Sequence, residues 1–255
     1  MSGRRLGTVQ YRAETVISCA QNGEDILLNR ALNGRKDGFY VDIGAGDPNW
    51  DSVTNWFYRI GWRGINVEPN PIFCETLVRF RPEDVNLNVG VSKAPDILTF
   101  YQVHANELGH GWGLSSFDAG SLGRAKAMGL RVAQIPVSVL PLQQIVDTYC
   151  QQRQIDFLKI DVEGLEATVL SSLDLQRTRP VILCIEAVEP FSAVPAFAEW
   201  EPMIVNAGYE LGIFDGVNNF YVREESPEVL VQLNAPVNCS DRWRKCTPVD
   251  FDQPL

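Results

Sequence analysis

The sequence predicts an α/β fold of the doubly wound kind, with a mostly parallel sheet and helices on both faces. Three stretches carry this expectation. Phe39-Tyr40-Val41-Asp42-Ile43 is aromatic or β-branched apart from one carboxylate, and Gly44-Ala45-Gly46-Asp47-Pro48 follows it. Such a run suits a central strand covered on both faces, and Gly44 and Gly46 let the backbone turn sharply and approach a ligand. Gly64-Ile65-Asn66-Val67-Glu68-Pro69 is a second apolar run. It ends in an acid about twenty residues past the glycines, where this fold places a carboxylate on an adenosine ribose. The third stretch, Ile155 to Glu166, is a strand with Asp161, Glu163 and Gly164 at its carboxyl edge, where open α/β sheets bind ligands.

The remaining elements follow in chain order. Residues 1–37 read as a lead-in, polar to about residue 14. Its helix has Ile26, Leu27, Arg30 and Ala31 at helical spacing, with Glu24 and Asp25 at its positive end. Residues 51–58 are expected to be a helix capped by Asp51 or Ser52. Pro71 to Phe80 places Phe73, Leu77 and Phe80 on one side of another helix. Val85 to Val91 reads as the third strand, and Ile97 to Val103 as a half-exposed one. His104 to Val132 holds six glycines and reads as one long irregular connection, a feature that in compact domains is functional or mobile.

Gln134 to Val139 is the returning strand, and Pro141 to Tyr149 a helix facing inward through Leu142, Ile145, Val146 and Tyr149. Leu165 to Leu175 reads as a helix, Val181 to Glu186 as a buried strand, and Trp200 to Ala207 as a helix stopped by Gly208. Tyr209 to Phe214 and Asn219 to Arg223 form a hairpin through Asp215-Gly216-Val217-Asn218. The main domain is expected over 38–225. Residues 226–255, rich in Pro and Asn, are expected to be a tail packed on its body.

A chain of 255 residues with 45% hydrophobic side chains can bury one large core. A net charge of −10 and a pI near 4.7 exclude a nucleic-acid partner, because no basic run supplies counterion release. Anionic membrane surfaces are disfavoured for the same reason. No apolar run approaches the roughly 20 residues of a spanning helix, and the basic start, Met1 to Arg5, lacks the apolar core of a signal peptide. The six cysteines, at 19, 74, 150, 184, 239 and 246, lack the paired spacing of a zinc site. Reduced thiols and a cytoplasmic setting are expected. The sequence carries no signal for an oligomeric state.

Asp42-Ile43-Gly44-Ala45-Gly46, Ile65-Asn66-Val67-Glu68-Pro69, Leu158 to Gly164 and Asp215 to Val222 together resemble the FkbM family. The resemblance runs in the expected order from Ser18 to Asp241. It implies a Rossmann-like class I methyltransferase, with a seven-stranded, mostly parallel sheet and an antiparallel hairpin at one edge. It also implies S-adenosyl-L-methionine as cofactor and a hydroxyl of a sugar, in a polysaccharide or glycosylated metabolite, as acceptor. Cofactor contacts are then expected at Asp42, Gly44, Ala45, Gly46, Asp47, Glu68 and Asp161. Gln21, in a Gln-x-Gly-Glu-Asp stretch, belongs either to a lid over the cofactor or to a capped leading helix. Asn88 and Val89 approach the adenine or merely pack a strand.

Two other classes compete. An NAD(P)-dependent sugar-modifying oxidoreductase fits the fold, but Asp47-Pro48-Asn49 fills the place of a third glycine. No tyrosine is followed four residues later by lysine, the proton-transfer pair of such enzymes. A non-catalytic glycan-binding protein would have its cofactor residues replaced, yet Asp42, Gly44, Gly46, Glu68 and Asp161 all stand.

Activating a sugar hydroxyl needs a base or a metal. The candidates at the sheet edge are Asp161, Glu163, Glu166 and Glu186, of which Glu163 and Glu166 equally suit a helix cap. Asp161 and Glu186 end neighbouring strands and would repel unless one is protonated or a cation bridges them. That cation is either a divalent ion such as Mg²⁺ or Mn²⁺ or Lys159, two residues before Asp161 on the same face. His110 is a further candidate base and Trp112 a platform for a sugar face. Glu163, Asp215 and Asn218 are further candidate substrate contacts.

Overall fold

The computed structural model describes residues 15–104, 113, 115–189 and 192–251. Its central sheet has seven strands, and the five on one side are parallel neighbours. They are β2 (Phe39–Ile43), β3 (Arg63–Val67), β4 (Val85–Leu87), β8 (Phe157–Ile160) and β9 (Ile182–Glu186). The order is β10-β11-β9-β8-β2-β3-β4, with β10 (Tyr209–Phe214) and β11 (Asn218–Arg223) forming the antiparallel hairpin. β11 also pairs antiparallel with β9, so the sheet is mixed and mostly parallel.

Strand alternation divides the core in two. Val41, Ile43, Leu158, Ile160, Leu183 and Ile185 pack with α5 (Leu142–Tyr149), α6 (Glu166–Leu170) and α7 (Glu201–Val205). On the opposite face, Tyr40, Phe157, Ile182, Cys184 and Phe220 pack with α1 (Glu24–Ala31), α2 (Asn55–Arg59) and α8 (Pro227–Gln232). α3 (Pro71–Phe80) starts where Asn70 Oδ1 accepts the Ile72 N–H.

Several local expectations change. The strand expected over Val85 to Val91 splits: β4 stays in the main sheet, while β5 (Gly90–Val91) joins a second sheet in the order β5-β7-β6. That sheet is completed by β6 (Asp96–His104) and β7 (Arg131–Leu140). Between them the expected irregular connection contains α4 (Ala119–Ala127). Its glycines gave little helix signal, and Ala125 and Leu130 packing on Val103 hold it in place. α2 begins at Asn55, after the expected caps Asp51 and Ser52, and Thr54 at its N-cap makes no side-chain cap bond. α6 covers only five residues of the helix expected over Leu165 to Leu175.

The ends of the chain also carry more structure than their composition shows. β1 (Val16–Ser18) pairs in parallel with β12 (Trp243–Lys245), so lead-in and tail clasp one another. Arg30 reinforces this, donating to the Gln232 carbonyl at 2.8 Å and pairing with Asp241 at 3.0 Å.

Glu24 and Asp25 are expected at a helix start and are found there, but buried. Asp25 accepts from the Ser18 hydroxyl at 2.7 Å and the Cys19 N–H at 3.1 Å. Burial raises the Asp25 pKa to about 6 and that of Glu24 to about 7, the latter also through the charges of Asp215 and Asp25. Unfolded carboxylates titrate near 4, so between about pH 4 and 7 the folded state binds more protons and stability falls as pH rises. The melting temperature should therefore drop from pH 5.5 to pH 8. Asp25→Asn should shrink that drop by on the order of 1 kcal/mol, or roughly 3 °C. Scanning calorimetry at both pH values checks this, and equal drops in the two proteins would refute it.

Candidate functional site

The register of the parallel strands sets two rows of side chains across the carboxyl edge. Cys184, Lys159, Asp42, Asn66 and Asn86 are successive cross-strand partners. Two residues further along the same strands, on the same face by alternation, come Glu186, Asp161, Gly44, Glu68 and Asn88. All of the second row but Asn88 line a cavity of about 1050 Å³.

Lys159 holds the rows together from beneath. Its ammonium donates to the Gly44 carbonyl at 2.8 Å and lies 3.4 Å from Asp42 and 3.3 Å from Asp161. Burial alone would lower its pKa, but the Asp161 and Asp42 carboxylates outweigh that and raise it, so it stays charged. Lys159 is thus a cation beside Asp161, and its two ion pairs run to Asp161 and Asp42. Among the described residues no group of three or more His, Cys, Asp or Glu side chains is placed to hold a metal ion.

Gly44 and Gly46 differ in what they require. Gly44 has φ 77°, and a Cβ there would lie 1.8 Å from the Asp161 carbonyl oxygen. Its close approach is therefore to the β8 strand end as well as to the cavity. Gly46 has φ 62° but open space where a Cβ would point. Its N–H donates to Glu68 at 2.7 Å, and the other Glu68 oxygen accepts from the Asn70 N–H at 2.7 Å. Burial raises the Glu68 pKa to about 7 despite those bonds.

Ala45, Asp47, Glu68, Asp161, Glu163, Glu186 and Gln21 all line the cavity, as expected for site residues. Asp47 also accepts from the Asn49 and Trp50 N–H groups, shaping the loop beyond the glycines. Glu163 sits in left-handed backbone at φ 57°, with Gly113 close against its carboxylate. Glu166 accepts from the Val162 and Gly164 N–H groups at 3.2 Å, so it ties the turn before α6 rather than capping that helix. Glu186 has a buried Oε2 without a hydrogen-bond partner among the described residues. Burial, then the charges of Asp161, Glu163 and Glu166, push its pKa far above the carboxylate range.

Five expected contacts lie away from the cavity lining. Asp42 is buried, accepting from Thr54 at 3.0 Å and facing Lys159, so it orients the lysine from below. Asn88 donates to the Glu68 and Pro69 carbonyls, pinning the end of β3, and Val89 packs against the core. Asp215 accepts from the Val217 and Asn218 N–H groups, while Asn218 reaches Glu24 at 3.1 Å, so both close the hairpin onto the lead-in. His110 and Trp112 lie outside the described residues.

The sequence reading missed two parts of the site. Phe73, Phe100 and Phe117 line the cavity from α3, β6 and the turn before α4, and Phe100 and Phe117 pack at 5.0 Å. A Cβ at Gly90 would strike the Phe117 ring at 2.4 Å, a contact no linear motif reports. Arg81, 1% exposed, donates to Thr54 at 3.0 Å, Ser52 at 3.0 Å and the Pro48 carbonyl at 2.5 Å. It fastens the loop that follows the glycines.

A mostly parallel α/β sheet with an acid-lined cavity at its carboxyl edge defines a Rossmann-like ligand-binding protein. The chain belongs to the FkbM methyltransferase family, whose methyltransferase FkbM domain matches residues 42–211. The chain is similar to a solved structure, the methyltransferase FkbM from Methylobacillus flagellatus KT, at 15% identity and a TM-score of 0.45. That similarity covers 73% of this chain and spans only 44% of the other. No curated protein matches. Family membership gives no support to the oxidoreductase alternative.

The two glycines should separate on substitution. Gly46→Ala meets only the left-handed backbone penalty, about 1–2 kcal/mol. Gly44→Ala adds a collision with the Asp161 carbonyl and should cost roughly 3 kcal/mol or more. Urea unfolding of both variants measures the difference, and equal losses would refute the close approach at Gly44.

Proposed function

We propose that this chain, through residues 38–225, is an S-adenosyl-L-methionine-dependent O-methyltransferase acting on a hydroxyl of a sugar or glycoconjugate. One observation carries the cofactor: among the described residues, the acidic side chains lining the cavity are Asp47, Asp51, Glu68, Asp161, Glu163 and Glu186, and the basic one is Lys159. Such a lining favours a sulfonium cation and repels the pyrophosphate of a dinucleotide. Open space before Gly46 and the buried Glu68 carboxylate fit the cofactor's nucleoside end. Each Glu68 oxygen accepts one backbone bond and keeps lone pairs for ribose hydroxyls. When bound, the sulfonium supplies an electrophilic methyl group.

The protein's part is alignment and proton management. Lys159 holds Asp161 in place beside the cavity. Glu186, protonated at neutral pH, becomes a strong base when it ionises, and it takes the acceptor's proton. The assignment of the acceptor to sugars rests on the family resemblance. The cytoplasmic setting belongs to the same proposal, supported by unpaired thiols at all six cysteines and by no described helix being long and apolar enough to cross a membrane.

Glu68→Ala should lose on the order of 2–3 kcal/mol of S-adenosylhomocysteine affinity by calorimetry, because two charge-assisted hydrogen bonds go with it. Unchanged affinity would remove Glu68 from the ribose. In the parent protein, S-adenosylhomocysteine should raise the melting temperature while NAD(H) does not, and stabilisation by neither ligand would point to a non-catalytic glycan-binding protein.

For Glu186, kcat/KM should climb with pH from 6 to 9, since the ionised form is the active one. Glu186→Gln should lower the rate by roughly 10²–10⁴-fold and flatten that climb. A slope retained in Glu186→Gln would assign the base elsewhere. Chelation should leave turnover unchanged if Lys159 is the working cation. Loss with EDTA and recovery with Mg²⁺ or Mn²⁺ would favour a metal at Asp161 and Glu186 instead.

A further inference from the structure

Two thiols outside the cavity meet where the ends of the chain are clasped. β1 and β12 pair with Ser18 opposite Lys245, and the Cys246 N–H donates to the Ser18 carbonyl at 2.8 Å. The next residue on each strand is a cysteine, so the register sets Cys19 beside Cys246, near enough for the Cys246 thiol to raise the Cys19 pKa. Adjacent strands lie about 4.7–4.9 Å apart, inside the window of roughly 4.4–6.8 Å that a disulfide spans between Cα atoms. Cys19 is 1% exposed and Cys246 6% exposed.

The same clasp is continuous with the cavity rim. The Cys19 thiol donates to Asn55 at 3.3 Å, and the Cys19 carbonyl accepts the Ser52 N–H at 3.1 Å. Asn55 in turn donates to the Pro48 carbonyl at 2.9 Å, inside the loop that supplies Asp47 and Trp50 to the cavity. From the other strand, Lys245 donates to the Ala20 carbonyl at 2.5 Å, beside Gln21.

We propose that Cys19 and Cys246 form a reversible disulfide that locks the two ends of the chain together and fixes the cavity rim. With glutathione disulfide as oxidant, one protein thiolate attacks a glutathione sulfur and releases one glutathione. The other thiolate attacks the resulting mixed disulfide and releases the second. Two S–H bonds and the glutathione S–S bond break, one protein S–S bond forms, and two electrons and two protons leave on two glutathiones.

Burial and the neighbouring Cys246 thiol push the Cys19 thiol up, so the closed clasp reacts slowly. The route is opening of β12, three residues whose side chains are all exposed. Once formed, the bond closes a loop of nearly the whole chain, the case in which cross-linking restricts the unfolded state most.

The test uses the full chain, incubated with reduced and oxidised glutathione or with dithiothreitol, then denatured, alkylated and mapped without reduction. The expected result is loss of two titratable thiols and a linked pair of peptides carrying Cys19 and Cys246. The melting temperature should rise by about 5–10 °C, and hydrogen exchange should slow at Ser52 and Cys246. Cys246→Ser should abolish the rise, while Cys239→Ser, at the exposed cysteine of the same segment, should keep it. Six free thiols after oxidation, or a link through Cys239, would overturn the proposal. A link without slower exchange at Ser52 would overturn its reach to the rim. None of these readouts depends on the cofactor or on turnover.

Discussion

One buried ammonium sets the geometry of the carboxyl edge. Lys159 sits on β8 between Asp42 of β2 and Asp161 beyond its own strand, with the Gly44 carbonyl as a third partner. A buried ion pair contributes little net stability, because desolvation offsets most of the attraction. Removing one partner is different, since it leaves a charge uncompensated. The arrangement therefore acts as a geometric lock on the ends of two neighbouring strands. It continues as an alternation of charge across the sheet: Asp42 accepts from Thr54, Thr54 and Tyr40 accept from Arg81, and Tyr40 donates to Asp84 at 2.5 Å. Asp84 closes the chain by accepting from the Gly64 N–H and Asn66. Most members satisfy a neighbour, while Asp42 Oδ1 has the Lys159 ion pair in place of a hydrogen bond and Asn66 Oδ1 has no hydrogen-bond partner among the described residues.

The lock leaves acids above it with too little positive charge to match. Lys159 compensates Asp42 and Asp161, while Glu68 and Glu186 are left to burial and to their neighbours. Both respond by rising in pKa. A cationic ligand of the kind proposed would favour the ionised forms of both acids. The family assignment and the electrostatics point the same way through independent routes: one from the pattern over residues 42–211, the other from the sign of the lining.

What could be read from the sequence was what alternation and punctuation encode. β2, β3, β8 and β9 were legible because their side chains are almost wholly apolar and end in glycine or an acid. The hairpin was legible from Asp215 and Gly216. Lys159 beside Asp161 followed from their two-residue spacing, but Asp42 as its second partner depends on strand register and could not be read. Asp215 and Asn218, expected at the substrate, sit at the hairpin away from the cavity lining, and polar residues in a turn look alike whether they bind their own backbone or a substrate. The clasp of β1 with β12 was invisible, because strands of three residues more than two hundred positions apart have no local signature. The aromatic wall failed likewise, since Phe73, Phe100 and Phe117 reach one cavity from three separate elements.

The loop after the glycines explains why this edge suits a cation when the fold is better known for cradling phosphates. In a dinucleotide site the glycine turn runs straight into a helix, whose free N–H groups and dipole attract the pyrophosphate. Here α2 begins only at Asn55, and ten residues intervene after Gly44. Those residues are held away from helix geometry by Arg81 on the Pro48 carbonyl and Ser52, and by Asp47 on the Asn49 and Trp50 N–H groups. Backbone donors that would otherwise face an anion are answered by carboxylates of the chain itself: Asp47 takes two, and Glu68 takes the Gly46 N–H. The strand, the turn and the acid of the dinucleotide pattern are all kept, and the displaced helix start is what would suit the site to the cation proposed for it.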